Sequence, residues 1–135
     1  QFVKSITWPD GTVQTSYPST GSITIAYDGG GSALVTGSTR CVTVPYSCTV
    51  SSWTLVADQS GSMAVHVASS TFDNYPTLSN MSGFGNGPSV SSLQKRSNNT
   101  TSWTGTTLGA GSQVCGVLDS ASTITWANIT LWVIK

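Results

Sequence analysis

Apolar side chains alternate with other residues in short segments along most of this chain, and this period of two limits the fold more than any other feature. The segments are bounded by Gly, Pro, Asn and Ser, and no stretch sustains the i, i+3, i+4, i+7 spacing of a helix. We predict strands over residues 21–27, 33–36, 39–45, 48–57, 62–69, 100–105, 113–119 and 122–134. Strands of this number and length are typical of an all-β protein, a two-sheet antiparallel β-sandwich of jelly-roll type.

The stretch WTLVADQSGSMAVHV, residues 53–67, shows this alternation on both sides of a polar interruption. The interruption, residues 58–61, predicts a β-hairpin turn in which Asp58 serves the backbone. His66, the one histidine of the chain, then lies on the non-core face without a recognisable partner. The residues predicted to face the core are Trp53, Leu55, Ala57, Met63, Val65 and Val67.

The last predicted strand changes its apolar parity, which indicates a bulge or bend around Ala127–Asn128. Trp132 is left on the face opposite Leu131 and Val133. Two interpretations remain open: an exposed indole that marks an interface, because aromatic residues are enriched there, or a central strand buried on both faces.

Two regions are predicted to lie outside the core. Residues 1–20 read as an extended N-terminal arm with isolated anchors at Phe2, Trp8 and Tyr17, and a start at Gln1 predicts a trimmed chain or a fragment. Residues 70–99 read as a loop too long to be idle in a compact domain, with a short helical turn after Pro76. The domain itself is predicted to span residues 21–135.

The composition excludes several classes of partner. The chain has five basic and five acidic residues, and near-zero net charge argues against nucleic acid as a partner. No run of 18 apolar residues exists, so we expect no membrane span. One histidine and three cysteines are too few for a metal site, and nothing in the sequence calls for a cofactor. Of Cys41, Cys48 and Cys115, at least one must be free within the chain. Cys41 and Cys48 flank VTVPYS and could bridge a bend, but they are predicted to pack as small hydrophobes.

The sequence offers no catalytic motif. The five aspartates lie on separate turns or strand ends, and His66 has no G-x-S-x-G partner sequence. We therefore expect no catalytic residues, while a hydrolase based on His66 remains a third hypothesis. Glycan binding is a further hypothesis, since aromatic rings stack on sugars and amides bind hydroxyl groups. Its candidate ligand residues are Asn74, Tyr75 and Trp103.

Three long stretches carry a resemblance to a known family. They are ITIAYDGGGSALVTGSTRCVTVPYSCTVSSWTLVADQSGSMAVHV, YPTLSNMSGFGNGPSV and TSWTGTTLGAGSQVCGVLDSASTITWANITLWVIK. Across residues 21–135 the chain resembles a recurring domain of tailed-bacteriophage virion proteins, found in tail-fibre, head-fibre and capsid-decoration proteins. Its most specific segments are GGGS…TG, VPYSCTV and WTLVADQSGS. The chain departs from the family at His66 and near Ser112, where family members often have an acidic residue.

The resemblance implies a β-sandwich that assembles as a homotrimer in the virion and has a structural or host-attachment role. It further implies that the arm contacts the major capsid protein or another virion protein. The candidate interface residues are Phe2, Trp8, Tyr17 and Trp132. The leading hypothesis is a non-enzymatic virion structural protein, a capsid decoration or fibre domain. The alternative is a module at a fibre tip that binds a host receptor or a host surface glycan.

Overall fold

The structure, a computed structural model, describes residues 6–7, 13–14 and 19–135. The strands within the described residues run antiparallel to their neighbours, and no helix occurs among those residues. The strands are β1 (Ile6–Thr7), β2 (Val13–Gln14), β3 (Thr20–Asp28), β4 (Thr39–Thr43), β5 (Cys48–Ser70), β6 (Ser79–Asn80), β7 (Ser89–Asn99), β8 (Thr107–Leu108), β9 (Gln113–Ser122) and β10 (Trp126–Ile134). Among the described residues, β1 and β2 form a separate two-stranded sheet.

The other eight strands form a sheet with the main order β3-β10-β5-β9-β4. This sheet folds into two layers, one with β3, β10 and the first half of β5, and the other with the second half of β5, β9 and β4. Strand β5 therefore belongs to both layers. Strand β7 pairs with both halves of β5 along its other edge. The layers face each other closely, because a Cβ atom added to Gly116 of β9 would lie 2.7 Å from the Tyr27 hydroxyl of β3. The predicted β-sandwich is therefore confirmed.

The predicted hairpin at residues 58–61 is wrong. In a hairpin Ala57 and Ser62 would pair with each other, whereas Ala57 pairs with Ala127 and Ser62 pairs with Ser122. The chain continues in one direction through a wide bulge, in which the step from Val56 to Gly61 lies opposite the shorter step from Lys95 to Leu93.

Asp58 holds this bulge in place. Its carboxylate accepts hydrogen bonds from the Thr125 hydroxyl at 2.6 Å, the Thr125 amide at 3.0 Å and the Trp126 amide at 3.3 Å. Gln59 donates a hydrogen bond to the carbonyl oxygen of Thr123 in the same connection. Asp58 does serve the backbone, as predicted, but it binds a segment 67 residues away in sequence instead of its own turn.

The alternation of apolar residues predicted the core rows of β5 correctly. All six residues expected to face inward are almost fully buried, and His66 lies on the other face. Burial of each large apolar side chain contributes about 1.5–3 kcal/mol, so these two rows are a main source of stability. They lie in one core together with Ile23, Ile25 and Tyr27 of β3 and Ala127, Ile129, Leu131 and Val133 of β10.

The predicted loop over residues 70–99 is wrong in its second half, which forms β7. Residues 91–99 are exposed on both faces of β7, so the sequence carries no apolar alternation there. Residues 33–36 and 100–105, which were predicted as strands, are irregular segments with some turns and bends. A series of turns over residues 72–76 precedes Thr77, where a helical turn was expected.

The change of face near the C-terminus occurs earlier than predicted. Ile124 and Ala127 are both fully buried, so the chain changes parity within residues 124–126, next to Thr123 with its φ of 68°. A second irregularity lies between Trp132 and Val133, where the register against β5 shifts. Trp126 and Trp132 therefore share the outer face of β10.

The cysteines differ from the prediction in part. Cys41 of β4 and Cys115 of β9 lie directly opposite each other and form a disulfide, so Cys41 is not a packed thiol. The two cysteines are 74 residues apart in sequence. Cys48 is free and buried, as predicted for a small apolar side chain.

Candidate binding surfaces

The outer face of β10 carries several large apolar side chains that the fold leaves accessible. We call this surface the tryptophan face and define it by Trp126, Trp132 and Ile134 of β10 with Val56 of β5. These side chains are 41–47% exposed. The two indoles are six residues apart on one strand, which separates them by about 20 Å.

Trp132 is fixed in orientation on this surface. Its indole N–H donates a hydrogen bond of 2.9 Å to the Thr54 hydroxyl of the neighbouring strand β5. The polar atom is therefore satisfied within the subunit, while 46% of the residue remains accessible. The strand is therefore not buried on both faces, and the indole is exposed; that it marks an interface stays a prediction.

The side chains that surround the indoles are mostly short and uncharged. The register places Ser22, Thr24 and Ala26 of β3 beside the outward residues of β10. Asp28 pairs with Trp126 at one end of the face, and Lys95 of β7 pairs with Val56 at its margin. Arg96 of β7 lines a pocket with Lys95, Thr54 and Val56 at this margin, so among the described residues the charged groups of the tryptophan face lie along its edges.

A cleft of about 430 Å³ opens at the end of β5. We call it the hydroxyl cleft, because seven of its ten lining residues carry a hydroxyl group and an eighth, Asn74, carries an amide. It is formed by three segments that are distant in sequence, residues 69–71, 74–79 and 107–112. None of the lining residues is charged.

Most of these polar groups are not used by the protein. The Ser70 hydroxyl donates to the carbonyl oxygen of Thr71, and the Thr71 hydroxyl accepts a hydrogen bond from the backbone N–H of Asn74. In the part of the chain that the structure describes, five other cleft hydroxyls and the side-chain amide of Asn74 make no side-chain hydrogen bond to protein. The five hydroxyls belong to Ser69, Thr77, Ser79, Thr107 and Ser112.

The absence of a recognisable partner for His66 was a wrong prediction. Its Nδ1 atom lies 2.7 Å from Oδ1 of Asp119 on β9, and its ring centroid lies 4.4 Å from that of Phe84. Within residues 19–135, however, no serine, threonine or cysteine side chain hydrogen-bonds to His66.

Burial raises the pKa of the Cys48 thiol, which keeps this cysteine protonated.

The predicted ligand residues do not form one site. Trp103 is only 7% exposed and its indole N–H donates to the Asn86 carbonyl oxygen, so it is a core residue and its assignment to a ligand loop is wrong. Asn74 lines the hydroxyl cleft, and Tyr75 is exposed in the adjoining turn. Phe2, Trp8 and Tyr17 lie outside the described residues.

Sequence reasoning missed Trp126, the hydroxyl cleft and the His66–Asp119 pair. The spacing of six residues between Trp126 and Trp132 was a usable signal, but a predicted change of face between them concealed it. Cleft residues such as Ser79 and Thr107 had no signal, because Ser and Thr are abundant everywhere in this chain.

The described residues offer neither a metal site nor a membrane-spanning helix. They contain no group of three or more His, Cys, Asp or Glu side chains arranged to hold a metal ion. They also contain no helix with the length and apolar character needed to cross a bilayer.

No family model and no curated protein matches the chain. Among solved structures it is similar to the N-terminal cellulose-binding domain of β-1,4-glucanase C from Cellulomonas fimi. The identity is 15%, the match covers 83% of this chain and 88% of that domain, and the TM-score is 0.43.

Proposed function

We propose that this chain is a non-enzymatic structural protein of a tailed-phage virion, a capsid decoration or fibre domain that assembles as a homotrimer. The resemblance over residues 21–135 supports the virion assignment. The observation that carries the assembly is the tryptophan face, a sheet surface with half-exposed indoles and an uncharged centre. In this proposal residues 1–20 attach the domain to the capsid or to another virion protein.

The tryptophan face has the properties of an interface core. Trp is enriched at binding hot spots, and charged residues are depleted in interface cores. Covering this face would desolvate few ionic groups, because Asp28 and Lys95 lie at its margins. The Thr54 hydrogen bond also holds the Trp132 indole in place before association, which lowers the entropy cost of binding.

The geometry of a closed trimer sets further requirements. A threefold ring is built from heterologous contacts, so the tryptophan face of one subunit must fit a different patch on the next. A stable contact should bury at least about 1,000 Å² in total. Half-exposed side chains on one sheet face can supply the apolar centre of such a contact.

Light scattering coupled to gel filtration tests the assembly. We expect a mass about three times the 14.0 kDa of the chain, and a monomer mass for Trp132→Lys. Val35→Lys is the matched control, since Val35 is 71% exposed in a turn and the same charge there should leave the trimer intact. A strictly monomeric wild-type chain at micromolar concentration would overturn the proposed assembly. Circular dichroism establishes that Trp132→Lys is folded.

Localisation on the particle tests the virion assignment. Antibodies raised against this chain, visualised by electron microscopy on intact phage, should label the head surface or the tail fibres. A preparation of purified particles that lacks the chain by mass spectrometry would contradict the proposal.

A further inference from the structure

We infer that the hydroxyl cleft binds uncharged sugar residues of a glycan. The inference is independent of the proposed assembly, because every residue of the cleft belongs to one subunit. None of its lining residues belongs to the tryptophan face. Ser69 and Ser70 end β5, and Thr107 and Leu108 pair with Thr49 and Cys48 at the start of the same strand.

The polar groups of the cleft suit a ligand that is itself rich in hydroxyl groups. A hydroxyl side chain both donates and accepts, and the Asn74 amide adds two donors and an acceptor. Sugars present donors and acceptors around a ring in the same manner. Five hydroxyls and this amide make no side-chain hydrogen bond to the residues that the structure describes, so a ligand replaces water on them without breaking any of the described hydrogen bonds.

The size and the charge of the cleft define the ligand class. A volume of about 430 Å³ lies in the lower part of the range of small-molecule sites, roughly 300–1,000 Å³, and suits one or two sugar rings. No lining residue is charged, and the ionic side chain within the adjoining turn is the anion Asp73. Neutral sugars are therefore favoured over sialylated or phosphorylated ones.

Aromatic residues stand beside these polar groups in the turn that forms one wall. Tyr75 lies between the lining residues Asn74 and Thr77 and is 48% exposed. Phe72, in the same turn, is also exposed. Neither ring is among the residues that line the cleft, but an exposed ring in the turn that contributes Asn74 is available to the C–H face of a second sugar residue of a longer glycan.

A microarray of neutral oligosaccharides ending in glucose, galactose, mannose or N-acetylglucosamine, each printed with its sialylated counterpart, provides the first test. We expect binding to neutral members and several-fold weaker binding to the sialylated ones. Absence of binding to all neutral members would overturn the inference, and so would a preference for the sialylated ones.

Titration calorimetry with the best neutral member then tests the site. Asn74→Ala and Thr107→Val should each weaken binding about three- to tenfold, because each removes one or two hydrogen bonds to the ligand. Thr39→Val, the same change at an exposed hydroxyl of β4, should leave the affinity unchanged. Equal affinities for all four proteins would overturn the site.

Amide chemical shifts of the wild-type chain give a check that needs no variant. The same glycan should perturb residues 69–79 and 107–112. Perturbation concentrated at Trp126 and Trp132 would overturn the assignment to the cleft.

Discussion

Asp58 stabilises the fold through its ionised form. The hydrogen bond from the Thr125 hydroxyl, followed by those from the Thr125 and Trp126 amides, holds the pKa of Asp58 below its usual value. Its contribution to stability is therefore fully present above the unfolded-state pKa of about 3.9 and is lost as the pH falls through the folded-state pKa.

Replacing Asp58 by Asn should reduce this acid dependence. We expect the free energy of unfolding of Asp58→Asn to be lower than that of the wild type at pH 7, and the difference to shrink as the pH falls below about 4. Urea denaturation at a series of pH values measures it. Asp73→Asn, at an exposed turn residue, is the control and should follow the wild-type curve. A difference that stays constant from pH 7 to pH 2 would contradict the role given to Asp58.

The His66–Asp119 pair predicts an effect on stability without one on function. His66→Ala and Asp119→Ala should each destabilise the domain, and the double-mutant cycle should give a coupling energy of about 1 kcal/mol for this partly buried pair. Denaturant unfolding of the four proteins measures it. A coupling energy near zero would mean that the two side chains do not stabilise the fold together.

At the scale of elements, the bulge in β5 depends on the absence of a side chain at Gly61. A Cβ atom there would lie 2.4 Å from the Thr123 hydroxyl, 2.7 Å from the Ser122 carbonyl oxygen and 2.8 Å from the Ile124 side chain. Gly61→Ala should therefore lower the free energy of unfolding by about 1–3 kcal/mol, the usual cost of overpacking. Gly105→Ala, where nothing lies within 4 Å, is the matched control for urea unfolding and should change it little.

The Cys41–Cys115 disulfide ties β4, which pairs only with β9 on the main path of the sheet, to that strand. Because the bond closes a long loop in the unfolded chain, its removal should cost about 2–5 kcal/mol. The variant Cys41→Ala/Cys115→Ala should show this loss in denaturant unfolding. Alkylation of the unfolded, unreduced wild-type chain should modify one cysteine, Cys48; three modified cysteines would contradict the disulfide.

The elements also show where sequence reasoning succeeds and where it fails. Alternation predicted which β5 residues face the core, because the period of two is a local property. It could not distinguish a hairpin at residues 58–61 from a continuous strand, since the difference depends on distant partners. Ala57 and Ser62 pair with β10 and β9 instead of with each other, and Asp58 binds Thr125. Strand β7 was missed because its pairing relies on backbone groups, and the burial of Trp103 cannot be deduced from the composition of its neighbours.

At the scale of the whole molecule, the scarcity of charge predicts how the proposed trimer responds to salt. Screening weakens contacts between ions, but the centre of the tryptophan face contains none. The light-scattering mass should therefore be the same in about 0.05 M and 1 M NaCl, where the Debye length falls to about 3 Å. Dissociation at high salt would indicate an interface held by the few lysine, arginine and aspartate residues instead.

Whole-molecule arrangement explains why the candidate surfaces were largely invisible in the sequence. The hydroxyl cleft combines residues 69–71, 74–79 and 107–112, and only the path of the sheet brings them together. The fold class could be predicted because it depends on the alternation of apolar residues along each strand. The cleft could not, because it depends on which strand ends lie side by side in the folded sheet.

The passage of β5 and β7 through both layers has a consequence for cooperativity. Each layer shares strands with the other, so unfolding one layer breaks backbone hydrogen bonds in strands that also form the other layer. The sandwich should thus lack partially unfolded forms in which a single layer survives. Amide hydrogens in the two halves of β5 should exchange with solvent deuterium at closely similar free energies, near that of global unfolding, as a single foldon.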